Sequence, residues 1–393
     1  MHPGMTASTN RQGLIIGDGI DWLCNAILNE PHWQARLGAI GDPQNFVTEA
    51  TCLALSKDMV IDQNGLGDAL HFGFAPIQLD EWPPPGWIPS RLANGTVSAL
   101  PVVDWVWIGD TPMDMPFFDD VLRAFRSRPI NRLLRVRTSL GVLSAGAPSD
   151  AASPAGLIFH MSRCGSTLLG RMLNSMPGNL VLSEPEPVDA VLRWGKEAGA
   201  SDGDRLAVLR AMVSALGRRV SGGSGRLFLK LDCWHAAALK TFREAFPATP
   251  WIYLFREPAD VIDSHIALPA PHTIPPPDEA VEGHSRETQI AASITKTHRA
   301  ILEQWQCGGG LAVDYKSLRE GNMARILRHF GLTEDHASRT TCAEVAKFNA
   351  KFPDQPFSAQ SRKAGAPMPR PIDAAVCADL ATLHGQLLRL AAP

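Results

Sequence analysis

The chain has 393 residues, of which 45% are apolar and 20% charged, with a net charge of −3. That composition excludes a disordered chain, the length leaves room for two domains, and the near-balanced charge excludes a global basic field for nucleic acid, so any anion binding must be local. Seven cysteines without a single C-x-x-C pair exclude a disulfide framework and a cysteine zinc site, and reduced thiols are the simple reading.

The start, Met1 to Arg11, is polar and lacks the apolar stretch of a secretory leader. No later apolar run approaches the roughly 20 residues that span a bilayer. The expectation is a cytoplasmic protein with no membrane and no nucleic-acid partner. Residues 1–143 carry six of the ten tryptophans, with helical patterning over 21–37 and 117–134 and an alternating strand at 103–107 that puts Trp105 and Trp107 on one face. This region reads as a smaller α+β accessory domain of unassigned role. Its tryptophans are core residues on one reading and the lining of an acceptor pocket on the other. Residues 144–154 contain no large apolar side chain and are punctuated by proline, which reads as a linker.

From 155 to 393 strands and helices alternate. Strands are expected at 156–160, 180–183, 226–231, 250–256 and 310–314. Helices are expected at 166–176, 187–198, 203–220, 234–246, 258–267, 286–306, 317–330 and 371–391, with Gly331 as a helix stop. This alternation predicts a three-layer α/β/α domain with a mainly parallel sheet.

Two strand-to-helix junctions carry chemistry. The apolar run Gly156 to Phe159 breaks at Ser162-Arg163-Cys164-Gly165-Ser166-Thr167 and turns directly into a helical pattern. Backbone N–H groups at such a helix start face an anion that the helix dipole favours, two hydroxyls add donors, and Arg163 adds a charge. The loop is not the nucleotide-triphosphate motif, which needs Gly-x-x-x-x-Gly-Lys-Ser/Thr. No glycine stands between His160 and Cys164, and no lysine follows Gly165. The second junction follows Trp251 to Phe255. Arg256 stands at the strand's carboxyl end, Pro258 suits the first helical position, and Ser264 lies about two turns on.

Together these junctions resemble the sulfotransferase family. Residues 162–167 look like its 5′-phosphosulfate loop, and the eight-residue interval from Arg256 to Ser264 looks like its 3′-phosphate motif. The resemblance covers roughly residues 155–370. It implies a fold related to P-loop kinases and the sulfuryl donor 3′-phosphoadenosine 5′-phosphosulfate, with no metal required. Arg362 and Lys363 are similar to the family's Arg-Lys-Gly segment that closes over the 3′-phosphate, with Ala364 inserted before Gly365.

Sulfuryl transfer needs a base at the acceptor and cations or N–H donors at the leaving phosphate. By resemblance to the tyrosylprotein type, the base is Glu184, twenty-one residues past Arg163, with Glu186 as its neighbour. The small-molecule enzymes of the family use a histidine, for which His235 is the candidate. His160, at the mouth of the first strand, reads as structural. Lys230 interrupts an apolar strand, so it needs a partner or a polar cleft. The family places a lysine there facing the active site, and a salt bridge to Asp232 or Glu184 is the alternative. Cys164 reads as a loop residue, not a nucleophile. The proline-rich stretch 268–277 has the placement of an acceptor cover.

The activity so implied is transfer to a hydroxyl or amine of a small-molecule or peptide acceptor. The alternatives are an ATP-dependent kinase on the same fold and a non-catalytic nucleotide-binding protein. Oligomeric state is not legible.

Overall fold

The computed structural model describes residues 8–9, 15–16, 19–93, 101–113, 115–147, 153–219, 225–268, 285–319, 323–352, 354–356 and 372–392. The chain forms two compact units. One comprises residues 1–112, 119–151 and 186–219, and the other residues 113–118, 152–185 and 220–393.

In the first unit, β1 (Ser8–Thr9) pairs antiparallel with β2 (Ile15–Ile16). A four-stranded mixed sheet follows, built from β3 (Ile77–Leu79), β4 (Trp87–Ala93), β5 (Val102–Trp107) and β6 (Val136–Ser139) in the order β3-β6-β5-β4. Only the β3–β6 pair is parallel. Trp33, Trp87, Trp105 and Trp107 are all buried, and the Trp105 indole donates to the Thr138 hydroxyl at 2.9 Å. These four tryptophans are core. The helical pattern over 21–37 resolves into Gly19–Asn29 and Pro31–Gly38, and that over 117–134 into Phe118–Arg126 and Pro129–Leu133. Each break falls at a proline, which lacks the N–H a continuing helix needs but suits a new first turn.

The single cut expected at 144–154 differs from the observed division. Helix Leu140–Ala145 runs into that stretch. Helices Glu186–Glu197 and Asp202–Gly217, which the alternating pattern assigns to the second domain, pack with each other and on β4, and the latter also packs on helix Leu140–Ala145. Local composition marks where a chain is loose. It does not say which sheet an apolar helix face will cover.

The second unit is built on five strands, β7 (Gly156–His160), β8 (Asn179–Ser183), β9 (Arg226–Lys230), β10 (Trp251–Phe255) and β11 (Gly310–Asp314). Their order is β8-β9-β7-β10-β11 and every pairing is parallel. All five lie within one or two residues of their expected positions. β7 and β10 are buried at every position, as strands covered on both faces must be. Phe159 packs edge-on against Phe242 and Trp251 at 5.7 and 5.9 Å.

The helices depart in detail. The segment expected at 234–246 starts as a 3₁₀ turn, Cys233–Ala238, before Leu239–Ala245. The one expected at 317–330 is two helices, Tyr315–Arg319 and Met323–His329, and it ends at Gly331 with φ +66°. Helix His336–Ala346 lies beyond the expected set. Among the described residues no helix is long and apolar enough to cross a membrane.

Candidate functional site

The strand order brings separate parts of the sequence to one edge. Along the carboxyl ends, from β8 to β11, stand Glu184, Lys230, the loop 161–165, Arg256 and Tyr315. β7 and β10 are neighbours, but the helix after β7 leads toward β8 and the chain after β10 leads on to β11 on the opposite side. That divergence is the topological switch point at which open parallel sheets bind ligands. The two junctions are tied together there. The Met161 N–H donates to the Leu254 carbonyl at 3.1 Å, and the Arg256 N–H lies 3.3 Å from the Met161 sulfur.

In the loop, Arg163 and Gly165 both adopt left-handed backbone, with φ +60° and +89°. Helix Ser166–Asn174 starts without a side-chain cap from Gly165, and the N–H groups of such a first turn are the ones that favour an anion. A Cβ on Gly165 would sit 2.5 Å from the Tyr315 ring, which closes that side of the loop. Ser166 and Thr167 are buried at the helix start, and Ser162 is half-buried in the turn. The Arg163 guanidinium donates to the Leu268 carbonyl at 2.7 Å, and burial lowers its pKa. Cys164 is fully buried and its thiol is pushed up to about 12, first by burial, so it supplies no thiolate.

Glu184 and Lys230 form one unit. Lys230 has no exposed surface and its ammonium is hydrogen-bonded to the Glu184 carboxylate. The Glu184 N–H donates to the Lys230 carbonyl at 2.6 Å, and Glu184 holds φ +56°, a conformation that strains a non-glycine residue. Burial pushes the Glu184 pKa up, but Lys230, His160 and Lys351 together outweigh it, and the net shift is downward. His160 lies 3.6 Å from the same carboxylate oxygen, with Nδ1 3.0 Å from the Met161 carbonyl oxygen. Burial, followed by the Lys230 charge, holds the imidazole at about 4 against the pull of Glu184, so it is neutral at physiological pH. Of the two readings of Lys230, the structure shows the salt bridge, made to Glu184.

The other candidates are engaged with other partners. Glu186 belongs to the first unit, where it opens its helix 3.6 Å from Arg193, and burial raises its pKa. His235 is buried in a capping box with Asp232, whose backbone N–H donates to its Nδ1 at 3.2 Å. Arg256 stacks over the Tyr315 ring at 4.9 Å and donates twice to Asp260, at 3.0 and 3.1 Å, rather than to Ser264. Ser264 is buried two turns into helix Pro258–Ala267. The Arg256–Asp260 pair is exposed on its acidic side, so it holds the guanidinium by only about 0–1 kcal/mol against a phosphate. Arg362, Lys363 and all but Leu268 of the proline-rich stretch lie outside the described residues.

Three residues of this edge carry no motif in the sequence. Tyr315 follows β11 directly, the position at which Arg256 follows β10, and that equivalence was the available signal. Phe117 lies 5.5 Å from the Lys230 ammonium and 5.9 Å from that of Lys351. Lys351 is lowered in pKa, first by burial and then by Arg163, while Glu184 draws it up. It sits in a short loop pinned by Phe348 bridging Pro356 and by Asn349 accepting from Lys351 N–H at 3.0 Å, which no sequence motif announces.

No protein-family model and no curated protein matches the chain. Solved structures do. STF9 from Mycobacterium avium is 13% identical with a TM-score of 0.40, over 63% of this chain and 78% of that one. STF1 from Mycobacterium tuberculosis H37Rv is 16% identical with a TM-score of 0.37, over 51% and 76%. The sulfotransferase domain from the curacin biosynthetic pathway is 12% identical with a TM-score of 0.40, over 61% and 99%. All three are sulfotransferases. At these identities the likeness assigns no residue.

Proposed function

We propose that the protein is a sulfotransferase that moves a sulfuryl group from 3′-phosphoadenosine 5′-phosphosulfate to a hydroxyl or amine acceptor. The observation that supports this reading is the meeting of the two anion-directed junctions, 161–165 and Arg256–Ser264, on adjacent strands at a switch point. A donor with a 5′-phosphosulfate and a separate 3′-phosphate has use for both. A triphosphate has use for one, and the loop lacks the lysine it would need.

In this reading Arg163 and the N–H groups of residues 165–167 take the charge that develops on the leaving phosphate. Glu184 receives the acceptor's proton as the new oxygen–sulfur or nitrogen–sulfur bond forms. The bond between sulfur and the bridging oxygen breaks, and its electron pair stays on the 5′-phosphate. Lys230 keeps Glu184 ionised, and Lys351 adds a third cation near Arg163 and Lys230. Arg256, released from Asp260, and Ser264 hold the 3′-phosphate. Arg362 and Lys363 follow from the resemblance alone.

The test is ligand-induced stabilisation of the full chain. Adenosine 3′,5′-bisphosphate at about 100 times its dissociation constant is expected to add roughly 2.7 kcal/mol, more than ADP or 5′-AMP at the same concentration. Arg256→Ala is expected to cost about ten- to hundredfold in its affinity, the worth of one charge-assisted phosphate contact. Stabilisation by ATP with Mg²⁺ and none by the bisphosphate would favour a kinase instead.

A further inference from the structure

The first unit contains a cleft of about 470 Å³ between the β4-β5-β6 face and the end of helix Gln63–Phe72. Five arginines line it, against one aspartate. In a chain of net charge −3 this is a concentrated excess of four positive charges.

The arginines divide into two sets. Arg91 and Arg137 share Asp104. Arg91 donates to one carboxylate oxygen at 2.6 and 3.0 Å, and Arg137 donates to the other at 2.6 Å. The remaining three are fixed by neutral backbone carbonyls. Arg126 donates to Ser90 at 2.7 Å, Arg132 to His71 at 2.9 Å, and Arg135 to Phe74 at 3.2 Å. Among the described residues none of these three has a carboxylate within ion-pair distance, although Arg126 feels Glu186 at longer range.

A carbonyl anchor orients a guanidinium without cancelling its charge. It uses one N–H and leaves the others for a ligand. Like charges so gathered repel by about 1 kcal/mol per close pair even in water, and a multiply charged anion relieves that repulsion. Guanidinium forks match the paired oxygens of phosphate or sulfate esters in two-point contacts. The rim carries Phe72, which is 80% exposed, so the occupant has an apolar or flat part to lay against it. The volume is that of a small-molecule site.

We propose that this cleft binds a small molecule bearing two or more phosphate or sulfate groups. The assignment is independent of the reaction read at the second unit's sheet edge.

Calorimetric titration of the full chain with inorganic tripolyphosphate and with sucrose octasulfate tests it, in wild type, Arg135→Gln, Arg126→Gln and Arg256→Ala. The expected result is binding that falls about tenfold or more in Arg135→Gln and Arg126→Gln and is unchanged in Arg256→Ala. The tighter of the two probes then names the ester. Arg135 and Arg126 are exposed, and thermal melts confirm that their variants fold. Two results overturn the proposal. One is no binding of either probe, or binding lost only in Arg256→Ala. The other is a mixed-sequence oligonucleotide that binds more tightly than both probes and is weakened by the same two substitutions, which would make the cleft part of a nucleic-acid surface.

Discussion

Glu184 and Lys230 are two roles in one ion pair, and a single substitution confuses them. Replacing Glu184 by Gln removes a proton acceptor, which typically costs about 10²–10⁴-fold in turnover. It also strands an ammonium with no exposed surface. Breaking such a buried pair costs about 3–5 kcal/mol, nearer the low end here because the Glu184 side chain is 28% exposed. The double variant Glu184→Gln/Lys230→Met separates the effects. It is expected to recover most of the lost stability in urea melts while turnover stays low. Recovery of turnover together with stability would show that Glu184 serves only to neutralise Lys230. The sequence named this pair as one of two readings of Lys230, because a lysine inside an apolar strand has few solutions. It missed Lys351 and Phe117, which reach the same carboxylate and ammonium from loops whose only signature is where the folded chain puts them.

At the level of the elements, the strands were legible almost to the residue, because a strand covered on both faces must read as an unbroken apolar run. Helix ends were less so. Prolines 31 and 129 split patterns that periodicity alone joins, and the 3₁₀ start at Cys233 reflects the Asp232–His235 capping box rather than helical spacing. The loop between β7 and its helix was visible as a small-residue turn, but its shape was not. Gly165 is required there twice, by φ +89° and by the Tyr315 ring that a Cβ would meet. Gly165→Ala is therefore expected to weaken adenosine 3′,5′-bisphosphate about tenfold or more, since left-handed strain costs on the order of 1–3 kcal/mol and relaxing it moves the N–H groups. Adding Tyr315→Ala removes the clash but not the strain, so affinity should return only in part. An unchanged affinity in Gly165→Ala, measured by calorimetry, would mean that the loop does not form the anion cradle.

Two expectations belong to the whole molecule. The first is acid lability. His160 and His298 are held at about 4 and about 3, against an ordinary 6.5, chiefly by burial. The His298 ring lies 2.8 Å from the Tyr253 hydroxyl and stacks on His384. Below pH 6.5 the unfolded chain takes up protons on these rings and the folded chain does not. Their contribution is complete above pH 6.5 and is lost as pH falls toward the folded values, by about 1.4 kcal/mol per unit for each ring. Glu184, lowered by its cations, adds a loss of the same sign below its ordinary range near 4.5. Urea melts between pH 7.5 and 5 should show this slope, reduced in His298→Phe whatever that variant's absolute stability. A flat profile would place both rings in contact with water. The second expectation concerns how the chain is divided. A truncation guided by composition would cut at 144–154 and keep 155–393. That fragment retains helices Glu186–Glu197 and Asp202–Gly217 but loses β4 and helix Leu140–Ala145, on which they pack. Val188, Val191, Leu209, Met212 and Leu216 are all buried in the full chain, and those that lie toward the missing partners would face water. At about 1.5–3 kcal/mol for each side chain left exposed, the loss rivals the whole stability of an ordinary domain. Residues 155–393 alone are expected to associate or aggregate on size exclusion and to lack a sharp melt, whereas a fragment in which a short linker joins 185 directly to 220 should melt cooperatively if the second unit holds its own core. A monomeric, cooperatively melting 155–393 would show that the two helices need no partner from the first 151 residues and that the boundary read from composition is the physical one.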